Sequence, residues 1–184
     1  MASQFIVYVK SKMKDFLLKS EIQALFRLGK YIFIFMAFYF LATPFHEWAH
    51  LLATDFLGGS GYIIQNPWGL GGMMVFTSQP SNLFLVSIAG GVAVAVVFLL
   101  VFIFDWYGKN QDLIGAMAIL PIITGQLCYG IMEGVCYNMS VAQFMDYGAV
   151  AAVIGYGVGF TISLWKTMSY IVKDLWTEKE TLKL

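Results

Sequence analysis

Four long apolar stretches dominate the chain, at residues 31–54, 82–104, 113–135 and 147–165. Each is close to the ~20 residues that a helix needs to cross the hydrocarbon layer of a bilayer. A backbone inside that layer has no water to bond to, so a helix, which satisfies its own N–H and C=O groups, is the natural solution. Only 12% of the residues are charged, about half the fraction of a soluble domain. The chain therefore reads as an all-α membrane protein with four transmembrane helices.

The placement of the eleven Lys and Arg residues sets the expected topology. Lys10, Lys12, Lys14, Lys19, Arg27 and Lys30 precede the first stretch. Lys109 lies in the 105–112 turn, and Lys166, Lys173, Lys179 and Lys183 follow the last stretch. Segments 55–81 and 136–146 contain none. With four crossings every cation falls on one side, and the positive-inside rule then puts both termini in the cytoplasm, with the cell membrane as the expected location. Residues 1–30 read as an amphipathic helix lying in the headgroup layer, because Phe5, Val9, Met13, Phe16 and Leu17 recur at roughly helical spacing beside the lysines. Residues 31–165 form the transmembrane domain and 166–184 a cytoplasmic tail. No basic face exists outside the terminal segments, so nucleic acid is not an expected partner. No secretory signal peptide is expected either, since the first thirty residues intersperse charge throughout.

Segment 55–81 is more than a plain connection. Gly61-Tyr62-Ile63-Ile64 and Met73-Met74-Val75-Phe76 are short apolar runs, separated by turn formers from Gln65 to Gly72. The pattern predicts a short β-hairpin or a re-entrant loop after the first span. If it dips into the membrane it must cover protein or a wet cavity; otherwise it is an ordinary hairpin at the interface. The second and fourth spans are rich in Gly and Ala, which let helix backbones approach closely.

The chemistry is concentrated at His46-Glu47-Trp48-Ala49-His50, an H-E-x-x-H motif that holds the only two histidines in the chain. Residues four apart on a helix share a face, so both imidazoles can reach one metal ion. Glu47 lies beside that face, where it can accept a proton from a water on the metal. A catalytic zinc site usually has a third protein ligand and one open position. The candidates are Glu133, Asp146, Cys128 and Cys136. Depth admits both carboxylates. His46 is sixteen residues past Lys30, about 24 Å along a helix, and Glu133 and Asp146 both fall roughly 30 Å from the cationic side. The two cysteines lack metal-type spacing and read as small buried hydrophobes.

The H-E-x-x-H helix resembles the zinc motif of the site-2 protease family of intramembrane metalloproteases. The stretch Gly125-Gln126-Leu127-Cys128-Tyr129-Gly130-Ile131-Met132-Glu133-Gly134 is similar to the family's second motif, in which an Asn is followed after several residues by an apolar residue, Asp and Gly. Ala89-Gly90-Gly91 is similar to a small-residue motif of the family. Glu stands here for Asp, Gln for Asn, and the usual prolines before the acidic residue are absent. The resemblance covers about residues 31–135. It implies zinc held by His46, His50 and Glu133, with Asp146 the alternative third ligand, Gln126 in the place of the Asn, and Glu47 as general base. The implied activity is hydrolysis of peptide bonds in membrane-embedded protein or peptide substrates. The hairpin would hold an unwound substrate as an added strand, and Gln126 or Asn66 would bond its backbone.

The competing expectation is a non-catalytic small subunit of a membrane complex, or a homo-oligomer, with the histidines structural or binding a closed, four-ligand metal. A transporter is disfavoured by four spans without a visible repeat.

Overall fold

The computed structural model describes residues 2–65, 72–107, 112–139 and 141–181. Four helices and one hairpin follow in the order α1 (Ala2–Phe56), β1 (Ser60–Gln65), β2 (Gly72–Ser78), α2 (Leu83–Tyr107), α3 (Leu113–Val135) and α4 (Val141–Thr181). Every helix contains a segment long and apolar enough to cross a membrane: Glu21–Phe56, Leu83–Tyr107, Leu113–Val135 and Asp146–Asp174. This is the all-α, four-span architecture expected from the hydropathy.

The helices differ from expectation at their polar ends. α1 runs unbroken through the boundary placed at residue 30, and α4 runs unbroken through the boundary at 165. The physical reason is local. A change from apolar to charged side chains does not end a helix, which requires a cap or a breaker. Neither junction has one except Gly29, and an isolated glycine is tolerated.

Where the helices do end, the signals are explicit. Gly58 has φ +76°, and the Gly58 and Gly59 N–H groups donate to the carbonyls of Asp55 (3.1 Å) and Thr54 (2.9 Å). That reciprocal pair closes α1 and turns the chain into β1. Asn82 caps α2 by accepting from the Leu85 N–H at 3.0 Å. Asp112 caps α3 by accepting from the Gly115 N–H at 3.1 Å.

β1 and β2 form a two-stranded antiparallel hairpin with Tyr62 opposite Val75 and Ile64 opposite Met73. Residues 66–71 at its tip, Asn66 among them, lie outside the described residues.

α3 is the central and most buried span. Its face toward α1 and α2 forms one core with Ala42, Val94, Phe98, Ile119 and Ile122. Glycines set the helix spacing. A Cβ on Gly91 would lie 2.5 Å from the Gly130 Cα, so α2 and α3 touch backbone to backbone. A Cβ on Gly159 would lie 2.6 Å from the Pro121 Cα, which brings α4 equally close to the other side of α3. Such contacts replace the hydrophobic drive that lipid cannot supply.

Two ion pairs tie the charged ends together: Arg27 with Asp174, and Lys30 with Asp112 at 2.7 Å. The start of the α1 span, the end of the α4 span and the α2–α3 turn therefore share one end of the bundle. The hairpin and the histidines occupy the other.

Candidate metal centre

His46 and His50 are one helical turn apart on α1, both buried, and their Nε2 atoms are 3.0 Å apart. Glu133 on α3 completes the group. Its Oε2 lies 3.1 Å from His46 Nε2 and 3.5 Å from His50 Nε2. Ligand atoms around a four-coordinate zinc ion at ~2.0–2.1 Å are about 3.3 Å apart. The three observed separations match that spacing to within a few tenths of an ångström.

The other ring nitrogens explain why both Nε2 atoms point inward. His50 Nδ1 donates to the Val86 carbonyl of α2 at 2.7 Å. His46 Nδ1 donates to Gln126 Oε1 of α3 at 2.9 Å. With the proton on Nδ1, each neutral imidazole presents a lone pair at Nε2. Two lone pairs and a carboxylate facing one another repel unless a cation lies among them. Glu133 Oε2 shows the same unmet demand. It is buried and accepts no hydrogen bond.

Gly90 on α2 supplies the space. A Cβ there would lie 2.6 Å from His46 Nε2 and closer still to His50 Nε2. Any side chain at this position would enter the point on which the three ligand atoms converge. The paired lone pairs, the orphaned carboxylate oxygen and the glycine cradle all fit a divalent cation. Two imidazoles and a carboxylate suit zinc. Among the described residues the group has three members.

A cavity of about 470 Å³ opens beside the group, lined by Glu47, His50, Glu133, Tyr129, Met74 and Phe76 among others. Glu47 is buried, and a Cβ on Gly72 would lie 2.9 Å from its Cγ. The first residue of β2 therefore sits directly against the motif glutamate. Segment 55–81 forms a hairpin whose second strand lines this cavity. The Tyr129 ring packs 5.5 Å from that of His46.

The remaining sequence candidates fall elsewhere. Asp146 is exposed and is not part of the group. α4 packs on α3 through Gly155 and Gly159 and barely touches α1, so an acidic residue near its start stays remote from the histidines. Gln126 was expected at the substrate. It does not line the cavity; its Oε1 holds His46 and its Nε2 donates to Tyr156 OH at 3.2 Å. Its amide thus lies behind the His46 imidazole. Cys136 lines the cavity and bonds Met132 Sδ at 3.4 Å, but neither cysteine joins the ligand group.

Sequence reasoning missed two contributors. In the sequence Gly90 fits the helix-packing glycines of its span, and no pattern marks Tyr156. The likeness of Ala89-Gly90-Gly91 to a family motif was the one available signal for the first; none pointed to the second. No family model, curated protein or solved structure matches the chain.

Proposed function

We propose that this chain is an intramembrane zinc metalloprotease of the site-2 protease type, with His46, His50 and Glu133 as metal ligands and Glu47 as general base. One observation carries the reading: three ligand atoms converge on a glycine-cleared point beside a buried, cavity-facing glutamate that is not itself a ligand. A closed structural site would have a fourth protein ligand, and the group among the described residues has three.

Bound zinc would supply Lewis acidity and lower the pKa of a water toward 7. The chain's own residues do the rest. Glu47 takes a proton from the attacking water and passes it to the leaving amine, so that water and peptide bond become a carboxylic acid and an amine. Gln126 and the Val86 carbonyl hold the imidazoles in the ligating tautomer.

A transmembrane helix must unwind before its peptide bonds can be reached. The hairpin supports such a role. β2 lies over Glu47, and its edge away from β1 has no neighbouring strand among the described residues. An unwound segment adding there would run across the cavity, with β2 carbonyls and N–H groups as partners. The orientation follows from charge, with both termini in the cytoplasm and the site toward the outer half of the cell membrane.

The test is Glu47→Gln. Purified variant and wild type are compared for zinc content and for cleavage of a transmembrane peptide in detergent or liposomes. Cleavage should fall at least a hundredfold, with zinc retained. Undiminished cleavage by the variant rejects the general-base assignment.

A further inference from the structure

The hydrogen bonds that leave the metal centre end on a helix that supplies no ligand. His46 Nδ1 donates to Gln126 Oε1 at 2.9 Å, and Gln126 Nε2 donates to Tyr156 OH at 3.2 Å. The chain crosses from α1 through α3 to α4. The Tyr156 ring is itself held in place. It packs onto Gly125, where a Cβ would come 2.6 Å from the Tyr156 Cζ, and its centroid is 5.9 Å from that of Tyr39.

The orientation of the amide matters because an amide has two unlike ends. With Oε1 toward His46, Nδ1 carries the ring proton and Nε2 keeps the lone pair that a metal needs. With the amide turned over, an N–H would face Nδ1. The ring proton would then move to Nε2, which could no longer ligate. In this orientation the amide nitrogen donates to the Tyr156 hydroxyl, so the side chain is tied at both ends, to His46 and to α4.

We propose that Tyr156 is a positioning residue for the metal centre, whose hydroxyl anchors the Gln126 side chain where its carbonyl meets His46 Nδ1. The proposal rests on the reading of His46, His50 and Glu133 as metal ligands. Hydrogen-bond partners behind a ligating imidazole typically carry 10–100-fold in metal affinity. A group one bond further out belongs at the lower end, about tenfold.

The test uses the full chain in detergent and measures zinc affinity by competition with a chromophoric chelator. The variants are Tyr156→Phe, Gln126→Ala and the double variant. Tyr31→Phe is the control, because it also removes a buried hydroxyl, one bonded to Ser163 at 2.7 Å. Tyr156→Phe keeps the ring and should weaken zinc binding about tenfold, while Tyr31→Phe leaves it unchanged. In Gln126→Ala no side chain remains for the hydroxyl to anchor. Adding Tyr156→Phe to that background should therefore cost little, a coupling that a double-mutant cycle reads directly. Equal losses in both backgrounds, or no loss in Tyr156→Phe, overturn the proposal and leave the metal site standing. A wild-type chain that binds no zinc overturns the ligand reading, and the proposal with it.

Discussion

Replacing Gly90 by alanine should remove the metal without unfolding the bundle. The new Cβ would lie 2.6 Å from His46 Nε2, against 3.4 Å for ordinary contact. The imidazole must retreat by about 0.8 Å, whereas ligand distances tolerate only about ±0.2 Å. His50 Nε2 is crowded at least as severely, so neither ring can yield toward the other. Losing only a partner behind a ligand costs up to about 100-fold in affinity. Displacing two ligands should exceed that bound, a loss of more than about 2.8 kcal/mol. Helix propensity works the other way, since alanine favours a helix over glycine by about 1 kcal/mol. The matched control is Gly157→Ala on α4, where a Cβ meets nothing within 4 Å. Chelator competition gives the affinities, and circular dichroism reports the helices. Gly90→Ala should retain helicity and fail to hold zinc; Gly157→Ala should resemble wild type. Wild-type zinc affinity in Gly90→Ala would refute the geometric reasoning.

Other expectations are independent of that position. Stripping the metal with a chelator should lower the thermal midpoint and abolish cleavage, and zinc should restore both; a site loaded at a hundred times its Kd contributes about 2.7 kcal/mol. Gly91→Ala should destabilise the fold by about 1–3 kcal/mol, because its Cβ meets the Gly130 backbone at 2.5 Å and backbone cannot step aside; a thermal midpoint equal to wild type would contradict the close α2–α3 contact. Asp112→Ala should cost about 1 kcal/mol through loss of the α3 cap. Burial raises the Asp112 carboxyl, but hydrogen bonds from Lys30 and the Gly115 N–H outweigh it and leave its pKa below the usual carboxylate value. The folded value is thus the depressed one. The contribution is complete above about pH 4 and fades as pH falls through the lower folded value, so the Asp112→Ala deficit should shrink in acid.

Much of the architecture was legible because its signals are simple. An apolar run of ~20 residues permits few alternatives, and histidines four apart on a helix share a face whatever surrounds them. Two short apolar runs around a cluster of turn formers marked the hairpin. What the hairpin covers depends on how Gly72 meets Glu47, a contact between distant segments that no local pattern encodes. The continuity of α1 past Lys30 was hidden because charge patterning was read as a boundary where no helix stop exists. Depth arguments admitted both Glu133 and Asp146, since rise along a helix says nothing of which neighbour the helix packs against; the glycines of α3 and α4 decide that. Gly90 looked like its neighbours in a small-residue span, and only the placement of the imidazoles sets it apart.

The ligand shell itself is the most direct test. X-ray absorption at the zinc edge of the purified full-length chain should show one zinc per chain with two imidazoles and two oxygen donors near ~2.0–2.1 Å, one of them exchangeable. Sulfur scattering near ~2.3 Å, or a chain that holds no zinc when the metal is supplied, would contradict a centre built from His46, His50 and Glu133.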